Sequence, residues 1–192
     1  MSIPSTFTED GILEPGTYEA TFDELKESIL VKGDGSSKTW NSSWRLELVE
    51  NANILTNQLW KAGVEDIFFD GSFVEDKDHP NDIDGYFDPH LSTDSLEEME
   101  TFKTLICQLN DLDPNKIWNW DPTKRKKYRG YPKAQLPMWH KYRVELYPHL
   151  GQRTGIKDQH GNELKFPAAF RQSRHNYKPK GIVKIVKKGE SL

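Results

Sequence analysis

Val64 to Phe69, containing Ile67-Phe68-Phe69, is a short apolar run held between Gly63 and Gly71. A run of that length bounded by glycines reads as a buried strand. The residues before it read as a helix: Trp44, Leu46, Leu48, Ile54, Leu55 and Leu59-Trp60 follow Ser42 or Ser43 as cap, with Gly63 as the stop. Asp82 to Phe87 alternates as a second strand, and Asp76-Lys77-Asp78-His79-Pro80-Asn81 between the two is turn chemistry. The chain is therefore expected to run helix, strand, turn, strand, with the two strands as neighbours.

Thr21 and Glu24 make a capping box ahead of Leu25, Ile29 and Leu30, so a short helix is expected there, after the turn signal Glu14-Pro15-Gly16 and before the breaker Gly33-Asp34-Gly35. Ser92 or Thr93 opens a helix to Leu112, with Leu96, Met99, Phe102, Leu105, Ile106 and Leu109 at helical spacing and Asp113-Pro114 as its end. A connection rich in Trp and then in basic residues covers Trp118 to Pro137. Lys141 to Tyr147 and Gly181 to Lys187 read as strands, and Gly151 to Asn162 as turns. No internal repeat or linker divides the chain, so a single α+β domain over 1–192 is expected, with a basic subregion over 123–192.

That subregion stands out by charge. Residues 1–122 hold 8 Lys and Arg against 26 Asp and Glu, and residues 123–192 hold 18 against 4, so net charges of -18 and +14 underlie the overall -4. Two readings are open: the halves attract each other, or one half supplies metal-binding carboxylates and the other phosphate-binding cations. The opening residues carry no basic and apolar leader, and no apolar run approaches the roughly 20 residues of a membrane span. The single cysteine, Cys107, has no CxxC partner. No membrane association and a reducing, cytoplasmic setting are expected.

In a strand, residues two apart share a face, so Asp82 and Asp84 project together while Ile83 points into the core. Two carboxylates side by side repel each other, and Mg²⁺, a hard cation taking oxygen ligands, makes that arrangement favourable. A third carboxylate is expected nearby. Val144 and Leu146 form the apolar face of a later strand, leaving Glu145 on the opposite one with Arg143 and Tyr147. Asp70, Glu75, Asp76 and Asp78 read as solvated loop charges rather than ligands.

Phe69-Asp70-Gly71-Ser72-Phe73, then Asp82-Ile83-Asp84 and later Val144-Glu145-Leu146, resemble the signature of the DNA polymerase beta-like nucleotidyltransferase superfamily: apolar-x-Gly-Ser, a spacer, Asp-apolar-Asp, and an acidic residue between apolar ones. The longer wording from Gly71 to Phe87 is similar to a bacterial family of uncharacterised nucleotidyltransferase-like proteins. The resemblance implies a mixed β-sheet nucleotidyltransferase core with helices packed on it. It also implies that Gly71 and Ser72 grip nucleotide phosphates, and that Asp82, Asp84 and Glu145 are the catalytic carboxylates holding two Mg²⁺ (or Mn²⁺) ions. Small members of the superfamily often carry Ala-Arg-Gly after Gly-Ser. This chain has Phe73-Val74-Glu75-Asp76, acidic where a cation helps hold phosphate.

Two basic stretches are candidate phosphate contacts. Lys124, Arg125, Lys126, Lys127 and Arg129 interleave with Tyr128 and Tyr131, as a nucleic-acid-binding surface does. Arg171 and Arg174 are candidates for a nucleotide's triphosphate. The six Trp read as core or loop anchors, and the histidines have no zinc-like spacing. No Gly-x-Ser-x-Gly elbow or Walker A loop is present. The leading expectation is a metal-dependent enzyme moving a nucleoside monophosphate from an NTP (ATP or another) to a hydroxyl of RNA or a partner protein. The resemblance to small stand-alone members implies a toxin-antitoxin or phage-defence role. The alternatives are a non-catalytic module of the same fold binding nucleic acid or an acidic partner, and small-molecule nucleotidylation.

Overall fold

Thr21 caps the helix α1 (Phe22–Glu27) in the computed structural model, which describes residues 1–189. Its hydroxyl accepts from the Glu24 N–H, and the Glu24 carboxylate accepts from the Thr21 N–H at 2.8 Å, the reciprocal capping that the spacing predicts. Ser28 caps the next turn, α2 (Ile29–Lys32). α3 spans Ser42–Lys61, but its cap is Asn41, whose side chain accepts from the Trp44 N–H at 3.0 Å. α4 (Leu96–Leu112) starts later than Ser92 or Thr93 because Ser95 takes the cap; Leu105 and Leu109 face the core while Leu96 is exposed.

The strands in chain order are β1 (Thr17–Ala20), β2 (Asp66–Asp70), β3 (Ile83–Asp88), β4 (Val144–Pro148), β5 (Arg153–Lys157), β6 (Glu163–Lys165) and β7 (Ile182–Ile185). Five form one sheet in the order β1-β7-β2-β3-β4. β1 with β7 and β3 with β4 are parallel, and the pairings of β2 are antiparallel, so the sheet is mixed and the fold α+β. β5 and β6 form a separate antiparallel ribbon where turns alone are expected. Among the described residues no helix is long and apolar enough to cross a membrane.

The strand expected from Lys141 begins only at Val144, because a fifth helix, α5 (Pro137–Tyr142), precedes it. Pro137 suits the first turn of a helix, where its missing N–H costs nothing. Arg143 then takes a left-handed conformation at φ 54°, turning the chain into β4. It does not lie on the strand beside Glu145: its guanidinium stacks 3.8 Å from the Trp139 ring and 4.4 Å from that of Tyr128.

Strand parity divides the sheet. Ile67, Phe69, Ile83, Phe87, Val144 and Leu146 pack on the helices, joining Leu25, Leu48, Leu55 and Leu109 in the main core. Phe68, Tyr86 and Tyr147 line the other face, where Phe166 and Phe170 cover them. Gly85 is required in the middle of β3, since a Cβ there would collide with the Phe68 carbonyl of β2 and sit 2.9 Å from Leu146 Cδ2.

The segregated charge also has a structural use. Lys178 pairs with Asp10 at 2.7 Å, Lys184 with Asp66 at 2.6 Å and Lys188 with Asp23 at 3.0 Å, so the basic chain around β7 is tied to acidic residues of the first half. These pairs are at least partly exposed, so solvent screening keeps the contribution of each small. Mutual attraction of the halves thus accounts for part of the asymmetry.

Candidate functional site

On the face away from the helices, Asp70 pairs with Asp84 across β2 and β3, and Asp84 with Glu145 across β3 and β4. Three carboxylates therefore stand in one row on adjacent strands, and Asp82 joins them from just before β3, two residues ahead of Asp84. The row floors a cleft of about 870 Å³ whose walls include Gly71, Ser72, Arg125, Lys133, Arg174 and Lys180. Gly71 is fitted to it. Its φ is +74°, and a Cβ there would run into the Asp84 carboxylate, with Asp84 Cβ only 2.8 Å away. The Gly-Ser turn and the paired Asp residues are thus in contact, as the motif leads one to expect.

Each carboxylate meets different surroundings. Among the described residues no donor hydrogen-bonds Asp84. Burial, then the charge of Asp82, pushes its pKa up to about 8, against an opposing pull from Arg174. Burial also raises that of Asp82; the Trp139 indole, donating to Asp82 Oδ2 at 2.6 Å, works against this, and Glu145 adds repulsion. Asp70 is buried, and burial lifts it to about 6 although Lys180 Nζ stands 3.1 Å away. Glu145 is held by the protein itself. The Leu136 N–H donates to Oε1 at 3.1 Å, the Tyr147 hydroxyl to Oε2 at 2.6 Å, and Arg125 lies 3.7 Å off.

These surroundings decide how well the residues fit a divalent cation. Asp82 and Asp84 fit: both open on the cleft, and both are pushed toward protonation in a way that a cation would reverse. Glu145 stands beside them rather than closing on them, and among the described residues no three acidic, His or Cys side chains form a ready-made metal cage. A carboxylate has about four lone-pair sites, so its two hydrogen bonds leave Glu145 acceptor capacity.

Other expectations change here. Asp70 is no solvated loop charge, and Glu75 lines the cleft, whereas Asp76 stays on the surface. Asp70 and Glu75 share one partner, Lys180, a lysine of a basic stretch whose burial its neighbours in sequence do not mark. Its Nζ lies 2.8 Å from Glu75 Oε1 and 3.2 Å from the Gly71 carbonyl, so a cation does stand behind the Gly-Ser turn, delivered from far along the chain. Arg174 reaches the cleft, but Arg171 does not. The Arg171 guanidinium donates to Thr17 Oγ1 at 2.8 Å and leans on the Gly16 carbonyl at 3.4 Å, anchoring the start of β1. Of the basic run, Arg125 enters the cleft, while Lys124, Lys126, Lys127 and Arg129 lie exposed beyond its rim.

A family model matches residues 5–186, nearly the whole of the chain and every residue of the cleft. The chain belongs to the family of unknown function DUF6932. No curated protein and no solved structure matches it. In this DUF6932 member, then, the site has to be understood from its own chemistry.

That chemistry has a measurable sign. A carboxyl whose pKa is raised on folding stabilises the fold fully below its unfolded pKa near 4, and the contribution is lost as pH rises through the folded value. With Asp70 at about 6 and Asp84 at about 8, the melting temperature of the cation-free protein is expected to fall steadily from pH 5 to pH 8. Saturating Mn²⁺ is expected to restore about 5–10 °C at pH 8, taking roughly 2.7 kcal/mol at a hundredfold excess over Kd, and little at pH 5. Thermal melts in EDTA and in Mn²⁺ check this; a flat EDTA profile would show that the row is not under charge strain.

Proposed function

We propose that this protein transfers a nucleoside monophosphate from a nucleoside triphosphate to a hydroxyl group, as the DNA polymerase beta-like nucleotidyltransferases it resembles do. One observation carries the reading: the in-register row of Asp84 and Glu145, with Asp82 on the same face and the Gly71-Ser72 turn pressed against Asp84. Bound Mg²⁺ would offset charge on the phosphates and acidify the attacking hydroxyl. Asp82 and Asp84 would hold it, with Glu145 alongside.

The remaining chemistry belongs to the chain. Gly71 and Ser72 offer a tight turn on which phosphate oxygens can rest, with Lys180 directly behind. Arg125, Lys133 and Arg174 surround the space above the carboxylates, where a triphosphate's charge would lie. Ile156, Phe166 and Phe170 give the cleft an apolar wall suited to the flat face of a base. No protein nucleophile is required. Tyr147, whose hydroxyl is committed to Glu145 and raised far above its ordinary range by burial, keeps that carboxylate oriented.

A non-catalytic binding module is the second reading, favoured by the hold that Leu136, Tyr147 and Arg125 keep on Glu145. Incubation with each α-labelled NTP, Mg²⁺ or Mn²⁺, and total RNA or lysate separates the two. Label in a macromolecule, with pyrophosphate released, supports transfer; label in a low-mass product indicates small-molecule nucleotidylation. No labelled product with any NTP, from protein shown to be folded, leaves the binding module.

A further inference from the structure

Two groups of cations in the second half differ in their surroundings. Those around β7 face carboxylates of the first half, as described above. Those of the segment 124–133 do not: Lys124, Lys126, Lys127, Arg129 and Lys133 are exposed and have no ion-pair partner among the described residues. Five like charges within ten residues repel one another, and the fold holds them together without neutralising them.

The segment is not a loose tail. Lys126 and Gln135 exchange backbone hydrogen bonds at 2.9 and 2.8 Å, and Arg125 donates to the Ala134 carbonyl at 3.2 Å. Tyr128 is 42% exposed, yet its ring is braced by Trp139 at 5.2 Å, Tyr131 at 5.6 Å and His140 at 5.9 Å, and by the Arg143 guanidinium at 4.4 Å. The result is a pre-ordered loop carrying unpaired cations and a fixed aromatic ring, with Arg125 and Lys133 where it meets the cleft.

We propose that the segment 124–133 binds single-stranded nucleic acid, with Tyr128 stacking on a base and the strand's end entering the cleft. Unpaired cations interleaved with an aromatic platform match a phosphodiester backbone whose bases are free to stack. An acidic polypeptide would satisfy the charges but bring no ring for Tyr128. A duplex would hold its bases away from Tyr128 and present two strands at a rim that needs only one to reach Asp82 and Asp84. Entry of the end into the cleft rests on the nucleotidyl-transfer reading; binding of the strand does not.

The test is binding of the full chain to labelled oligonucleotides, single-stranded RNA and DNA and duplex RNA, with polyglutamate as competitor, at several salt concentrations. If five cations each meet a phosphate, the log–log salt slope for single strands is about -3.5, so affinity falls about a hundredfold between 50 and 200 mM salt. Substituting Lys126, Lys127 and Arg129 by Ala together is expected to weaken binding at least tenfold and bring the slope to about -1.4. Tyr128→Ala is expected to weaken it about fivefold or more without changing the slope. Duplex RNA is expected to bind at least tenfold more weakly than single strands. Equal binding of duplex, displacement by polyglutamate at equal charge, or an unchanged affinity in the folded triple variant each overturns the proposal. Binding is measured without any NTP or added cation, so failure of transfer and failure of this proposal are read separately.

Discussion

Replacing Asp82 and Asp84 together by Asn is expected to lower the proposed nucleotide transfer by at least about a thousandfold, while the cation-free protein is expected to melt about 4–8 °C higher at pH 8. The first effect follows because the pair is the part of the site that fits a cation, and charge stabilisation of several kcal/mol at the transferring phosphate is lost, each 1.36 kcal/mol being tenfold in rate. The second follows from the same two side chains seen without a cation. Burial raises both acids, with repulsion from Glu145 adding at Asp82 and repulsion from Asp82 adding at Asp84, so their ionised forms are disfavoured. An amide of equal size keeps the shape and removes the charge, with a gain on the order of 1 kcal/mol and hence about 2–4 °C for each in a chain of this size. Asn at position 82 can still accept from the Trp139 indole. Activity assay and thermal melt on one preparation check both, and a variant that loses stability along with activity would show the pair to be structural.

Arg45→Met is expected to lower the melting temperature by about 10 °C. Arg45 leaves α3 fully buried and stacks 3.9 Å from the Trp40 ring. It donates to four main-chain carbonyls: Leu30 at 2.6 Å, Phe73 at 2.7 Å, Glu75 at 3.0 Å and Lys77 at 2.7 Å. Three of these belong to the segment that follows Gly71-Ser72, which makes no regular pairing of its own beyond one bridge from Glu75 to Ile12. Met fills a comparable volume but strands the carbonyls, and losing one side of such a buried charged arrangement costs about 3–5 kcal/mol. Lys is expected to recover less than half, because a single ammonium cannot reproduce the fork that spans both sides of the loop. Hydrogen exchange should rise first at residues 73–77. A drop under about 3 °C would mean that the loop is held by other contacts.

The sequence was informative where a local rule decides the outcome. The Thr21 and Glu24 box, the long helix into Lys61 and the shared face of Asp82 and Asp84 depend on spacing within a few residues, and all are present in the structure. β1 has no local signal, because its four residues gain their pairing only from Ile182 to Ile185, far along the chain. The β5–β6 ribbon was hidden by Gly155, at φ +73° inside a strand exposed on alternate residues. The end of α5 resembles strand because the alternation of Val144 and Leu146, carried back across Arg143, continues to Lys141. The same limit applies to the cleft. Asp82, Asp84, Glu145 and the Gly-Ser turn were legible, yet Lys180 behind that turn was not, since nothing around position 180 marks a lysine that folding will bury between Asp70 and Glu75.

The sheet order carries a consequence for how the protein comes into being. β2 sits at the middle of the sheet, but one of its two neighbours, β7, is translated more than a hundred residues after it. Until then the emerging first half carries its excess of negative charge without the lysines that will pair with it, and Asp70 waits for Lys180. A nascent chain can form α3, β2 and β3, but it cannot close the sheet or complete the pocket. The carboxylate cleft is therefore completed late in synthesis, and no partly made copy carries it whole.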